Sequence, residues 1–215
     1  MAALILTVRI TGAALRETGD AADRVGDNVV NVALLWPRAG KAEVFGSTGS
    51  VPLTDHADPS GEPDRPPLFD APVVKEVVEG DVTLLVHVLE RDRTGAFEQF
   101  VRNVGAAALR GAGRQAATLA PGLVREAFTE AADQGAIRIR NDDGREERLE
   151  VVAVAERPVV VTGERLAELA ASGEAAAVHV ELRAPRELAR AREKGRLAPG
   201  RPNGWLELEL RVHER

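Results

Sequence analysis

The 215-residue chain contains no cysteine and no tyrosine, and only 3% of its residues are aromatic. Without cysteine there are no disulfides, no thiolate metal ligands and no Cys nucleophile, and the redox compartment is left open. Scarce aromatics remove the stacking platforms that grip single-stranded nucleic acid. A net charge of -6 also opposes a phosphate backbone, which proteins bind mainly through Lys and Arg. Nucleic acid is therefore excluded as a partner. No uninterrupted apolar run approaches the ~20 residues that cross a bilayer. Residues 1–10 lack a positive n-region, and their apolar run breaks at Thr7 and Arg9, so they read as a strand rather than a signal peptide. The expected location is cytoplasmic. Lysine occurs only at Lys41, Lys75 and Lys194, while Arg and Ala are abundant, a bias that reflects a GC-rich bacterial genome rather than a function.

What is present is ordinary for a folded protein. An apolar fraction of 44% beside 29% charged residues lies outside the disordered range, and the length fits one large domain spanning residues 1–215. With few aromatics the core must be built from Val, Leu, Ile and Ala.

Period-2 alternation marks most of the chain as strand. Leu4, Leu6, Val8 and Ile10 share one face of a first strand, which is expected over residues 3–10. Residues 11–26 show no clear period. A second strand is expected over 28–36 and a short third over 41–46. The Pro-rich stretch 47–70 reads as a loop, because Pro removes the donors a ladder needs. Strands over 72–78 and 81–90 are joined by Glu79-Gly80. Asp143-Gly144 signals a hairpin turn between strands at 137–140 and 145–154. Thr162 is the expected cap of a short helix after Val159–Val161. Alternation at Val178, Val180 and Leu182 marks another strand, and residues 205–213 alternate without a fault as the last.

The period changes at Gly95. Phe97, Phe100, Val101 and Val104, then Leu123, Val124 and Phe128 after Pro121, fall at helical spacing and predict a helical hairpin over 95–135. Its apolar face is expected to cover the open side of a sheet. Arg102, Arg110 and Arg114 are expected on the other face, where a basic helix surface meets an anionic membrane or a protein partner. The fold class that follows is mainly β: an antiparallel β-sandwich with an inserted α-helical hairpin.

Three segments carry a family likeness. Leu4 to Ile10 with Leu15, Asp20 and Asp27-Asn-Val-Val30 form one. Val78-Glu-Gly-Asp-Val-Thr-Leu-Leu85 leading into Val86-His-Val-Leu-Glu90-Arg-Asp92-Arg93 forms the second, and Gly204-Trp-Leu-Glu-Leu-Glu-Leu210 the third. Together they resemble C2 domains over residues 1–100 and 203–215, although the Pro and Tyr of the family's first motif are absent. The resemblance implies an eight-stranded sandwich whose loops at one end bind calcium. It assigns as Ca²⁺ ligands Asp20 (or Asp23 in its place) with Asp27 from the first loop, and Glu90, Asp92 and Glu98 from the later one, oxygens of the kind this hard ion takes. Surface carboxylates in an acidic protein are the competing explanation for the same residues.

Nothing in the sequence supplies a catalytic set. His56, His87, His179 and His213 form no metal-binding pair, there is no Gly-x-Ser-x-Gly elbow, and Gly105, Gly111 and Gly113 do not make a phosphate loop. The expected function is a non-catalytic binding module for a membrane or protein partner. A structural or assembly scaffold without calcium is the second reading, and a hydrolase the third.

Overall fold

The structure, a computed structural model, describes residues 3–15, 28–37, 44–52, 72–90, 126, 130, 133, 136–140, 146–186 and 199–215. Ten strands dominate it. They are β1 (Leu4–Leu15), β2 (Asn28–Pro37), β3 (Val44–Pro52), β4 (Val74–Val78), β5 (Val82–Glu90), β6 (Ala136–Arg140), β7 (Glu146–Ala155), β8 (Val159–Val161), β9 (Ala176–Arg183) and β10 (Pro202–Glu214). One complete helix, α1 (Gly163–Ser172), lies between β8 and β9.

The alternation in the sequence becomes two faces of one sheet. Every pairing is antiparallel, in the order β3-β2-β5-β7-β9-β10-β1-β4, with β6 on β7 and β8 on β5. One side chain in two points inward. Leu6, Val8 and Ile10 of β1, Leu206, Leu208 and Leu210 of β10, Val30, Val32 and Leu34 of β2 and Leu84, Val86 and Val88 of β5 meet in a single apolar core.

The sheet rolls back on itself. Its two halves, β3-β2-β5-β7 and β9-β10-β1-β4, are joined by a ladder of only two residue pairs, Val154 with Arg183 and Ala155 with Leu182. At the other side β3 packs on β4, and the path of eight alternating strands makes that contact antiparallel too. Ser47 Oγ donates to Glu76 Oε1 across this seam at 2.8 Å. The backbones approach so closely that a Cβ on Gly49 would lie 1.7 Å from the Val73 carbonyl oxygen, so only glycine fits. The barrel is thus nearly closed and its interior is filled by side chains.

Helix α1 closes one end. Thr162 caps it as expected, its hydroxyl oxygen accepting from the Arg165 N–H, and the Asp81 carboxylate accepts from the Gly163 N–H at 2.8 Å. Leu166 and Leu169 enter the core from below.

Several expectations need correction. The sheet is continuous rather than split into two separate sheets. β1 runs five residues past Ile10, because a register shift between Ile10 and Gly12 restores Ala13 and Leu15 to the inner face. β3 lies at Val44–Pro52 rather than 41–46 and takes in part of the stretch read as loop; its Pro52 stands at the strand's last position. The strands joined by Glu79-Gly80 are present as expected, β4 and β5, and this connection carries the chain from one half of the sheet to the other. Of the helical hairpin at 95–135, only Glu126, Glu130 and Asp133 are described, and all three are helical. The remainder lies outside the described residues.

Among the described residues no helix is long and apolar enough to cross a membrane. The interior of the barrel is apolar, and the outer face of β10 bears Glu207, Glu209 and Arg211.

Closure at the seam is testable. Gly49→Ala should destabilise the fold by roughly 1–3 kcal/mol in urea unfolding, as overpacking does, and Ser47→Ala by less. Equal stability of Gly49→Ala and the native chain would show that β3 and β4 do not close the barrel.

Candidate functional site

Strand direction sorts the connections. The ends of β1, β3, β5 and β9 and the starts of β2, β4, β7 and β10 lie at one rim, so the segments 16–27, 53–73, 91–135 and 184–201 are all anchored there. The opposite rim carries the short connections 38–43 and 79–81 and the helix α1, while 156–158 lies within the wall, where β8 continues β7 along β5. Long connections on a rigid scaffold are where binding residues concentrate. The loop-bearing rim is therefore the candidate site.

Its chemistry is uneven. Segment 16–27 holds Glu17, Asp20, Asp23 and Asp27 against Arg16 and Arg24, and segment 53–73 holds five acids against Arg65. Segment 184–201 is basic, with Arg186, Arg190, Arg192, Lys194, Arg196 and Arg201 against Glu187 and Glu193. The two acidic segments flank β2 and β3, the basic one β9 and β10.

At this rim the ladders align polar residues of β2, β5 and β7. Asn28 pairs with Glu90 across β2 and β5, and Glu90 pairs with Glu150 across β5 and β7. Asn28 has the inward parity of Val30 and Val32, and it is only 2% exposed. Its Oδ1 is buried without a hydrogen-bond partner. Asn203 at the start of β10 is also buried, its Nδ2 donating to the Val152 carbonyl at 3.1 Å.

A second polar row lies on the outer face of β3, β2, β5, β7 and β9. The register aligns Ser50, Asn31, His87, Val154 and Arg183. Asn31, His87 and Arg183 are buried, as are the outward Ala33, Leu35, Leu85, Leu89 and Val151, so this half of the sheet is covered on both faces. Ser50 Oγ donates to Asn31 Oδ1. Arg183 grips Asp133 with both Nη atoms, at 2.5 and 3.0 Å, and also donates to the Ala184 carbonyl. Asp133 is helical, so this pair ties a helical residue to the sheet where the sequence predicts a covering hairpin. Burial pushes the His87 imidazole down to about 4, against a smaller raising effect from Asp133, and His87 is neutral at pH 7.

The third cluster is exposed. On the wall of β9 and β10, His179 Nδ1 meets Glu207 Oε1 at 2.5 Å and Nε2 meets Glu181 Oε1 at 2.9 Å, while Trp205 stacks beside the imidazole. The hydrogen bonds from Glu207 and Glu181 raise the His179 pKa. His213 is exposed near the end of β10.

The predicted site residues distribute as follows. Glu90 is placed at the rim by its ladder pairs. Asp20, Asp27, Asp92, Glu98, Arg102, Arg110 and Arg114 lie outside the described residues. Among the described residues no group of three or more His, Asp or Glu is arranged to hold a metal ion. Sequence reading missed Asn28, Asn31 and Arg183. Asn28 and Asn31 interrupt an apolar strand at positions where β-propensity disfavours Asn, and that was their only signal. Comparison with protein families, curated proteins and solved structures yields no match for this chain.

Two predictions follow from the polar rows. Asp133→Asn breaks a mostly buried ion pair and should cost roughly 3 kcal/mol, the low end for leaving a buried charge unpaired; a loss below ~0.5 kcal/mol in chemical unfolding would show that the pair is a surface contact. The second concerns pH. Unfolded, His87 titrates near its ordinary 6.5, folded at about 4. Between those values the unfolded chain binds a proton that the native one refuses, so stability present above pH 6.5 falls by about 3 kcal/mol as pH drops toward 4. His179, raised, acts with the opposite sign: its contribution is full at low pH and is lost as pH rises through its folded pKa. Urea unfolding across pH 4–8 should show the acid limb flattened in His87→Gln and unchanged in His179→Gln.

Proposed function

We propose that the chain is a non-catalytic, C2-like binding module whose loop-bearing rim takes up calcium and presents its acidic segments and helical insert to a protein or an anionic membrane. The ladder partnership of Asn28 and Glu90 carries this reading. Asp27 is the chain neighbour of Asn28, and Asp92 lies two residues past Glu90. The register therefore supports convergence of the carboxylates of segments 16–27 and 91–135 at one rim. Asp20 and Glu98 belong to those same segments, and together the five residues have the oxygen-rich chemistry that Ca²⁺ prefers. A cation there relieves the mutual repulsion of the carboxylates.

The barrel also supports the binding role by its division of labour. One rim is sealed by α1 and short turns, the core is filled, and the long connections are anchored at the other rim. In this reading Arg102, Arg110 and Arg114 form the outward contact face of the insert, beside a rim whose charge calcium makes less negative.

Calcium binding to the native state alone raises stability by RT ln(1 + [L]/Kd), about 2.7 kcal/mol at a hundredfold excess over Kd. Millimolar calcium should thus raise the melting temperature visibly, and Asp92→Asn should remove most of the rise. An unshifted melting curve would leave the acidic segments as solvated surface. Flotation with phosphatidylserine vesicles, with and without calcium, separates a membrane partner from a protein one.

A further inference from the structure

We propose that Asn28 is a direct oxygen ligand of the bound cation, reaching it from inside the barrel wall rather than from a loop; this rests on the calcium reading above. The sequence resemblance assigns ligands only to acidic residues, and Asn28 is not among them.

The argument starts from an unmet acceptor. Asn28 Oδ1 is buried and has no hydrogen-bond partner, and a buried amide carbonyl left unpaired is costly enough to call for an explanation. Its side chain stands on the inner face at the last position of β2 before the rim, one step above Val30. The residues aligned with it on β5 and β7 are Glu90 and Glu150, which when ionised accept and cannot donate. The amide donors of the two other buried asparagines are engaged, Asn31 Nδ2 with the Val29 carbonyl and Asn203 Nδ2 with the Val152 carbonyl. A buried amide carbonyl oxygen with no donor can be met by a positive charge instead, and Ca²⁺ readily takes side-chain amide oxygens along with carboxylates. A neutral amide also suits this position. It faces the apolar core, where an ionised Asp would pay a heavy desolvation cost whenever the cation was absent.

This assignment has a signature that a structural Asn would not give. Asn28→Leu removes an unsatisfied acceptor, so the calcium-free protein should melt at the same temperature or higher, while calorimetric titration of CaCl₂ into the full chain should show affinity weakened at least ~10-fold, the scale of one lost ligand. Asn28→Asp should do the reverse, lowering the calcium-free melting temperature and restoring or tightening binding. Calcium binding to the native chain with an unchanged affinity in Asn28→Leu overturns this assignment and leaves the calcium reading intact. A calcium-free Asn28→Leu that melts well below the native chain overturns it too, because Oδ1 would then have had a structural partner. No heat and no melting shift in the native chain at millimolar calcium overturns both.

Discussion

The pairing of the first strand with the last is the constraint on which the remaining structure leans. β1 and β10 run together from Leu4 with Glu214 to Leu15 with Gly204, and they form the middle of one wall. Nothing local in the sequence joins residues so distant, and the entropy of closing that loop must be met by what the pairing buries. It is met by Leu6, Val8 and Ile10 against Leu206, Leu208 and Leu210, all but fully withdrawn from water. At about 1.5–3 kcal/mol for each such side chain this row is among the largest single sources of stability in the domain. Gly204 shows how tight the pairing is: with φ at 145° and an added Cβ only 2.0 Å from the Ala14 carbonyl, no other residue fits there.

From that wall the rest follows by direction. Once β1 and β10 are fixed antiparallel, each later strand takes its sense from its neighbour, and the even count lets the sheet roll until β3 meets β4. The rolled sheet then has two unlike rims. Short turns and α1 seal one, and every long connection is anchored at the other. The inward row stays apolar to the sealed rim but ends in Asn28 at the loop-bearing rim, so the place where burial gives way to polarity coincides with the place where acidic segments are attached.

Much of this was legible in the sequence because period-2 patterning is a local property. Residues 82–90, 146–155 and 205–213 announce their faces one residue at a time, and Thr162 announces its helix by a hydroxyl in the capping position. What escaped was set by partners far away. The continuation of β1 past Ile10 depends on a bulge that only the β10 ladder imposes, and β3 at Val44–Pro52 borrows its strand character from β2, since Gly46, Ser47, Gly49 and Ser50 have little of their own. The polar positions were harder still. Asn28 and Arg183 matter because of what lies opposite them, and no spacing rule reports a neighbour on another strand. Of the predicted ligands, Glu90 is the one among the described residues, placed at the rim by its ladder pairs.

The account stands on one claim, that binding occurs at the loop-bearing rim beside the Asn28–Glu90 pair. Backbone amide NMR of the uniformly ¹⁵N-labelled chain during a calcium titration tests this most directly. The account predicts saturable shifts at Asn28, Val29, Leu89, Glu90 and Glu150, with the amides of Gly163–Ser172 and Gly80 at the sealed rim unmoved. Shifts confined to the sealed rim or to the His179 wall, or no saturable shift at millimolar calcium, would contradict it.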